Sequence, residues 1–197
     1  MKLDRAFYLN PDVVSVARAL LGKVLFTRIN NQVTAGVITE TEAYNGVTDK
    51  ASHAYGGRRT SRTEIMFQQG GTAYIYLCYG IHSLFNVVTN VEGIPHAVLI
   101  RAIVPYKGEK LMQLRRSLTL SGRSLYNGPG KVSSALGIHY SLSGTSLMSS
   151  KLWIEDKGIT VPENNIEITP RIGVDYAGLD ALLPYRFNVR DTGFIAR

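Results

Sequence analysis

Three β-rich runs crowded between Thr72 and Val104 constrain this chain more than any other feature. Thr72–Tyr79 and Ser83–Thr89 are separated by a turn built on Gly80, and a loop holding Gly93 and Pro95 leads to Ala97–Val104. Strands this close in sequence read as antiparallel neighbours. A second pair, Lys23–Ile29 and Val33–Tyr44, is joined by Asn30-Asn31, a hairpin signal. Leu152–Glu155, Asn165–Ile168 and Phe187–Arg190 add short strands. Helices are fewer. Asn10-Pro11-Asp12 reads as a helix start, with a side-chain cap, a proline for the first turn and an acid near the positive end. Val13, Val14, Val16, Ala17, Leu20 and Leu21 follow at helical spacing until Gly22. Glu109–Arg116 reads as a short amphipathic helix with Leu111 and Leu114 inward. Lys131–Leu136 reads as another, opened by Gly128-Pro129-Gly130 and closed by Gly137. The expected fold is α+β: a single domain over residues 1–197, built on a strongly curved, mostly antiparallel β-sheet. The sheet is open-barrel-like, flanked by short helices, and carries a protruding β-hairpin.

Composition excludes several classes. Hydrophobic residues make up 45% and charged residues 19%, values of an ordinary globular chain rather than a collagen-like repeat, a coiled coil or a long disordered tail. No apolar run reaches the ~18–20 residues of a membrane span. Asp4 and Arg5 stand where a signal peptide needs its apolar core. The one cysteine, Cys78, makes neither an internal disulfide nor a cysteine-built zinc site. The expectation is a soluble, cytoplasmic protein with no membrane contact.

The net charge of +7 favours a polyanionic partner, although solubility alone accounts equally well for such an excess. Its distribution adds weight to the first account. Lys110, Arg115, Arg116, Arg123 and Lys131 fall in a stretch without Asp or Glu, and Arg58, Arg59 and Arg62 cluster with only Glu64 nearby. That second cluster lies in a polar, Gly-rich segment from Asn45 to Gly71, a long loop with room for a short helix. Loops of that length in small domains are often functional.

Strand alternation through Ile38–Tyr44 puts Glu40, Glu42 and Tyr44 on one face. Two buried carboxylates two residues apart repel, so at least one needs solvent, a cation or a pocket. An edge strand with a solvated acidic face also fits this pattern. Arg101, in the middle of an apolar strand, needs a partner or a groove; an internal salt bridge to one of those glutamates is one answer. Tyr74, Tyr76 and Cys78 share a strand face, and Tyr79 stands beside Gly80 at a hairpin tip. Five of the 11 tyrosines fall between positions 44 and 79, beside His53 and the arginine cluster. Aromatic residues interleaved with arginine suit base stacking combined with phosphate contact, whereas tyrosines in strands also serve as plain sheet packing. The four histidines have no metal-ligand spacing. Asn127–Lys131 fits either a phosphate clamp or an ordinary helix entry, and it lacks the full P-loop pattern.

Taken in order, ETEAY, SHAYGGRRTSR, MF, GTAYIYLCYGIH, LFNVV, VLIRAIVP, NGPGKVSSALGI and RIGVDYAG resemble the alkyladenine (3-methylpurine) DNA glycosylase family. The likeness runs from about Val37 to Val104, resumes at Asn127 and returns near Arg171. It implies a monofunctional base-excision enzyme without metal or cofactor, acting as a monomer on double-stranded DNA that contains damaged purines, and nucleoid-associated when bound. By the same resemblance Glu42 is the general base for the attacking water. Arg101 holds that water and the phosphate of the flipped nucleotide, and the main-chain carbonyl of Ile172 completes the water's hydrogen bonds. Tyr44, His53 and Tyr76 sandwich the extruded base, Asn86 clashes with the exocyclic amino group of undamaged guanine, and Tyr79 wedges into the duplex. Arg58, Arg59, Arg62 and Lys131 are the expected phosphate contacts.

Two places depart from the family pattern. Ser61 stands where many relatives have proline, and Leu179-Asp180 where they commonly have Glu-Trp. No long N-terminal extension precedes the matching region, as in compact bacterial members. A non-catalytic reader of damaged bases with an aromatic cage stays as the alternative function, with Glu42 as the residue that separates the two.

Overall fold

A computed structural model describes residues 1–116, 125–193 and 195. Its sheet is organised by one long strand. Strand β1 (Val24–Ile29) turns through Asn30 and Asn31, both left-handed at φ 50° and 60°, into the 13-residue β2 (Gln32–Tyr44). That pair of left-handed residues matches the twist of a two-residue hairpin, as Asn-Asn leads one to expect. Strands β3 (Ala73–Cys78), β4 (His82–Thr89) and β5 (His96–Lys107) form the antiparallel meander, and β6 (Leu152–Glu155), β7 (Ile166–Thr169) and β8 (Arg186–Val189) complete the set. The hydrogen-bonded order is β3-β4-β5-β2-β1-β6, with β8 bridging β2 and β7. The result is a curled antiparallel half-barrel of the expected α+β class.

The curl originates in β2. Its first half pairs with β1 as far as Val37, and its second half, Glu40–Glu42, pairs with β8. Irregularities at Ala35/Gly36, Ile38/Glu40 and Glu40/Thr41 accompany that exchange of partners along the continuous pairing with β5. Bulges bend a strand and increase its twist, which is what closing a sheet requires. Gly36 permits the tight approach: a Cβ there would lie 2.5 Å from Ile103 Cδ1.

Alternation then divides the sheet into two faces. Thr41, Ala43, Ala73, Ile75, Phe85, Val87, Val98 and Ile100 are buried on the side of the helices. Helix α1 (Arg5–Tyr8) and helix α2 (Val13–Ala19) lie here, as do α3 (Glu109–Arg115) and α4 (Pro129–Leu136). Their buried positions include Val13, Val16, Ala17, Met112, Val132, Ala135 and Leu136. The intervening strand positions Glu40, Glu42, Tyr44, Tyr74, Tyr76, Asn86, Ala97, Leu99 and Arg101 belong to the other face, which is polar, aromatic and concave.

Two local expectations are corrected. The cap of α2 is Asp12, whose carboxylate accepts from the N–H groups of Val14 and Ser15, while Asn10 caps only the turn before it. In α3, Leu114 is 75% exposed and Met112 is the buried residue. Arg115 also faces inward, donating to Thr34 Oγ1 and the Ala135 carbonyl, which takes it out of the basic surface. Arg123 lies outside the described residues. Among those described, no helix is long and apolar enough to cross a membrane.

Candidate active site

Glu42 and Arg101 meet because of the bulge. Opposite Arg101, Glu40 pairs with Ala102 and Thr41 with Ile100, so Arg101 is the unmatched residue of β5. Its side chain joins both glutamates, with Nε 2.9 Å from Glu40 Oε1 and Nη1 3.3 Å from Glu42 Oε1. Arg186 on β8 donates to the same Glu40 oxygen at 2.6 Å. The acidic face is therefore interior, not an edge exposed to solvent, and each carboxylate has its cation.

Glu42 is fully buried. Oε1 also accepts the main-chain N–H of Ile172 at 2.8 Å, and Oε2 accepts the Tyr44 hydroxyl at 2.8 Å. Burial raises its pKa above the ordinary carboxylate range, against the lowering pull of Arg101, the Ile172 N–H and Tyr44. Desolvation and the neighbouring carboxylate raise Tyr44 well above the usual phenol, so its hydroxyl stays a donor. Ile172 contacts Glu42 through its N–H; the carbonyl is the atom named for it by resemblance.

Glu42 sits behind three of its partners, Tyr44, Arg101 and Ile172, which line a cavity of about 370 Å³, within the ~300–1,000 Å³ typical of small-molecule sites. Its aromatic wall comes from the loop after β2 and from β3. His53 stands edge-on to Tyr76 with ring centres 4.7 Å apart, and its Nδ1 lies 2.8 Å from the Tyr74 hydroxyl. Burial, followed by the charges of Arg62 and Arg58, lowers the His53 pKa to about 4. His53 is thus neutral at pH 7. The linked effect on stability has a definite sign: the contribution is fully present above about pH 6.5 and is lost as pH falls towards 4, because the unfolded chain takes up the proton first. Melting temperature falls more steeply between pH 7 and 4.5 in the wild type than in His53→Gln, and parallel melting curves would refute this assignment.

Asn86, buried on β4, donates to the Tyr74 and Leu84 carbonyls and lines the same cavity. At the rim, the β3–β4 hairpin turns through Tyr79 and Gly80, with Ile81 N–H bonded to the Cys78 carbonyl. Tyr79 is 92% exposed and left-handed, at φ 51°. Leu77 and Ile81 flank it, both exposed. Such a tip has little to pack against within the protein.

The expected phosphate contacts separate. Arg58 is exposed, whereas Arg59 pairs with Glu64 at 2.7 Å and covers the Phe67 ring. Lys131 sits in the first turn of α4. Arg62 belongs to the cavity itself: its guanidinium lies 4.8 Å from the Tyr76 ring centre and its Nη2 lies 2.8 Å from His53 Nε2. Among the described residues, no group of three His, Cys, Asp or Glu side chains is placed to hold a metal ion.

The sequence reading missed a buried support. Arg171 makes two contacts to Asp49, at 2.5 and 2.9 Å, both side chains being essentially inaccessible. It also donates to the carbonyls of Ala43 and Asp180 and lies 4.9 Å from the Tyr44 ring centre. Arg171 thus pins the loop carrying Ile172 to the end of β2. Of the departures, Leu179 is exposed, and Asp180 accepts the Lys50 N–H.

The family model described as methylpurine-DNA glycosylase matches residues 6–193. A relative from Chlamydia abortus is 50% identical over 186 residues, spanning 94% of this chain and 96% of its own. One from Bacillus cytotoxicus is 44% identical over 209 aligned positions and one from Desulfitobacterium hafniense 43% over 205, covering at least 98% of each chain. All three bear, as an inferred activity, the name 3-methyladenine DNA glycosylase. With the match covering nearly the whole sequence and relatives this similar, the chain belongs to the methylpurine-DNA glycosylase family.

Proposed function

We propose that this hydrolytic DNA glycosylase extrudes an alkylated or deaminated purine from duplex DNA and cleaves its N-glycosidic bond with a water activated by Glu42. The observation that carries the reading is a fully buried carboxylate bonded to Tyr44, Arg101 and the Ile172 N–H, three residues that line a cavity walled by Tyr44, His53 and Tyr76. Glu42 takes a proton from water as its oxygen bonds to the anomeric carbon, and the glycosidic electrons leave with the purine. Arg101 and the Ile172 main chain hold the carboxylate in place. An alkylated cationic purine leaves readily. A neutral one such as hypoxanthine needs a proton as well. Asn86 meets the exocyclic edge of the base, and Lys131 and Arg58 approach phosphates, the protein acting as a monomer.

Extrusion costs a few kcal/mol, so something must fill the vacated stack. Tyr79 suits that task, since a stacked aromatic ring is worth ~1–3 kcal/mol by alanine substitution. Tyr79→Ser lowers excision from duplex DNA by about one to two orders of magnitude while leaving the melting temperature unchanged. A large melting loss with normal excision per folded molecule would assign Tyr79 to packing instead.

The reading as a whole is tested on duplexes carrying single 3-methyladenine, 7-methylguanine, hypoxanthine or ethenoadenine lesions, scored for alkali-labile abasic sites. Cleavage at one or more of them is expected. Tight lesion binding with no abasic product from any duplex would overturn the enzymatic reading in favour of a damaged-base reader.

A further inference from the structure

Among the described residues that line the cavity, Arg62 is the charged side chain that the proposed chemistry leaves without a task. It comes from the loop segment between the 3₁₀ turns Tyr55–Gly57 and Glu64–Phe67. Its guanidinium rests against the same aromatic surfaces that a purine would use. The contact to the Tyr76 ring centre is 4.8 Å, Nη2 lies 2.8 and 3.1 Å from the two ring nitrogens of His53, and Nε is 3.4 Å from the Tyr74 hydroxyl. Among the described residues no carboxylate pairs with it. By contrast, Arg101 is shared by Glu40 and Glu42. The uncompensated positive charge of the cavity therefore belongs to Arg62.

We propose that Arg62 sets the charge preference of the cavity, favouring neutral damaged purines over cationic ones. This rests on the base-excision reading and names a substrate class within it. A cation on Tyr76 uses the attraction of that ring for positive charge, the same attraction that would otherwise hold an N-alkylated purine cation. The planar guanidinium stacks well against a neutral purine. Against a purinium it places two like charges within a few ångströms. His53, whose ring accepts from Arg62, is held neutral first by burial and then by the charge of that neighbour, and adds no charge of its own.

The test compares 7-methylguanine, a cationic base, with hypoxanthine, a neutral one, in otherwise identical duplexes. Single-turnover excision of both is measured for the wild type, Arg62→Gln and Arg62→Lys. Equilibrium binding of both duplexes is measured in parallel with each Arg62 substitution combined with Glu42→Gln, so that discrimination is read without turnover. Arg62 is exposed, so its replacement leaves the core untouched. Arg62→Gln raises the ratio of 7-methylguanine to hypoxanthine by about fivefold or more, the scale for removing a like charge ~4 Å away in a watery medium. Arg62→Lys, which keeps the charge, stays near the wild-type ratio. Equal losses for both lesions in Arg62→Gln, with the salt slope of binding reduced by about one, would make Arg62 a phosphate contact and overturn the proposal. If the wild type excises neither base, the excision reading fails, and the binding ratios still decide whether Arg62 discriminates by charge.

Discussion

Glu42→Gln abolishes most excision, by two or more orders of magnitude in single-turnover rate, while lesion binding is retained. The amide fits the same volume and keeps most bonds: its oxygen accepts the Ile172 N–H, and its NH₂ group can donate to the Tyr44 hydroxyl, which rotates to receive it. Arg101 keeps Glu40 as its partner. What disappears is the proton acceptor, and loss of a general base costs typically ~10²–10⁴-fold. The wild-type pH profile reports the same group. Because burial raises the Glu42 pKa, the acid limb of excision lies above the range of an exposed carboxylate. Near-wild-type excision by Glu42→Gln would remove Glu42 from the mechanism. An acid limb that survives in the mutant would assign it to another group.

Arg171→Met carries the largest cost to the fold. The Arg171–Asp49 pair is inaccessible to water, and removing one partner of a buried pair costs about 3–5 kcal/mol because the other charge stays behind. Asp49 retains the N–H groups of Asn45 and Ala51, which places the expected loss near the lower end. For a chain of this size, each kcal/mol shifts the melting temperature by ~2–4 °C, so the drop is roughly 6–12 °C. Combining it with Asp49→Asn recovers part of that loss by removing the stranded charge. A melting temperature within about 2 °C of the wild type would show that the pair contributes little net stability. Excision per folded molecule also falls in Arg171→Met, because the Ile172 loop loses its anchor.

The sheet was legible in the sequence because its signals are local. Asn30-Asn31, the Gly80 turn and the Gly128-Pro129-Gly130 entry to α4 each act within a few residues, and each appears at its expected place. Alternation through Glu40, Glu42 and Tyr44 was legible for the same reason. Several of the motifs that identify the family lie on strands and turns, and those at 52–62 and 171–178 lie in loops and 3₁₀ turns. Long-range pairing was legible only where a charge stood in an apolar strand, as with Arg101 and the strand glutamates. Arg171 and Asp49 are separated by 122 residues, and nothing in a polar loop announces a partner so distant. The exchange of β2 between β1 and β8 was hidden too, since a bulge changes register without changing composition. Sequence proximity groups Arg62 with Arg58 and Arg59 and does not show where its side chain lies. The fold brings its guanidinium onto Tyr76.

The left-handed backbone of Tyr79 bears on how this enzyme can be engineered. Two-residue turns of this hand favour asparagine or glycine, and a bulky residue in that conformation costs on the order of 1–2 kcal/mol. A screen that rewards heat resistance alone would therefore drift towards Asn-Gly at positions 79 and 80. Each such gain in robustness would blunt the tip proposed to fill the vacated stack. Libraries aimed at a hardier repair enzyme need position 79 held fixed, or a selection that scores lesion removal alongside survival of heat.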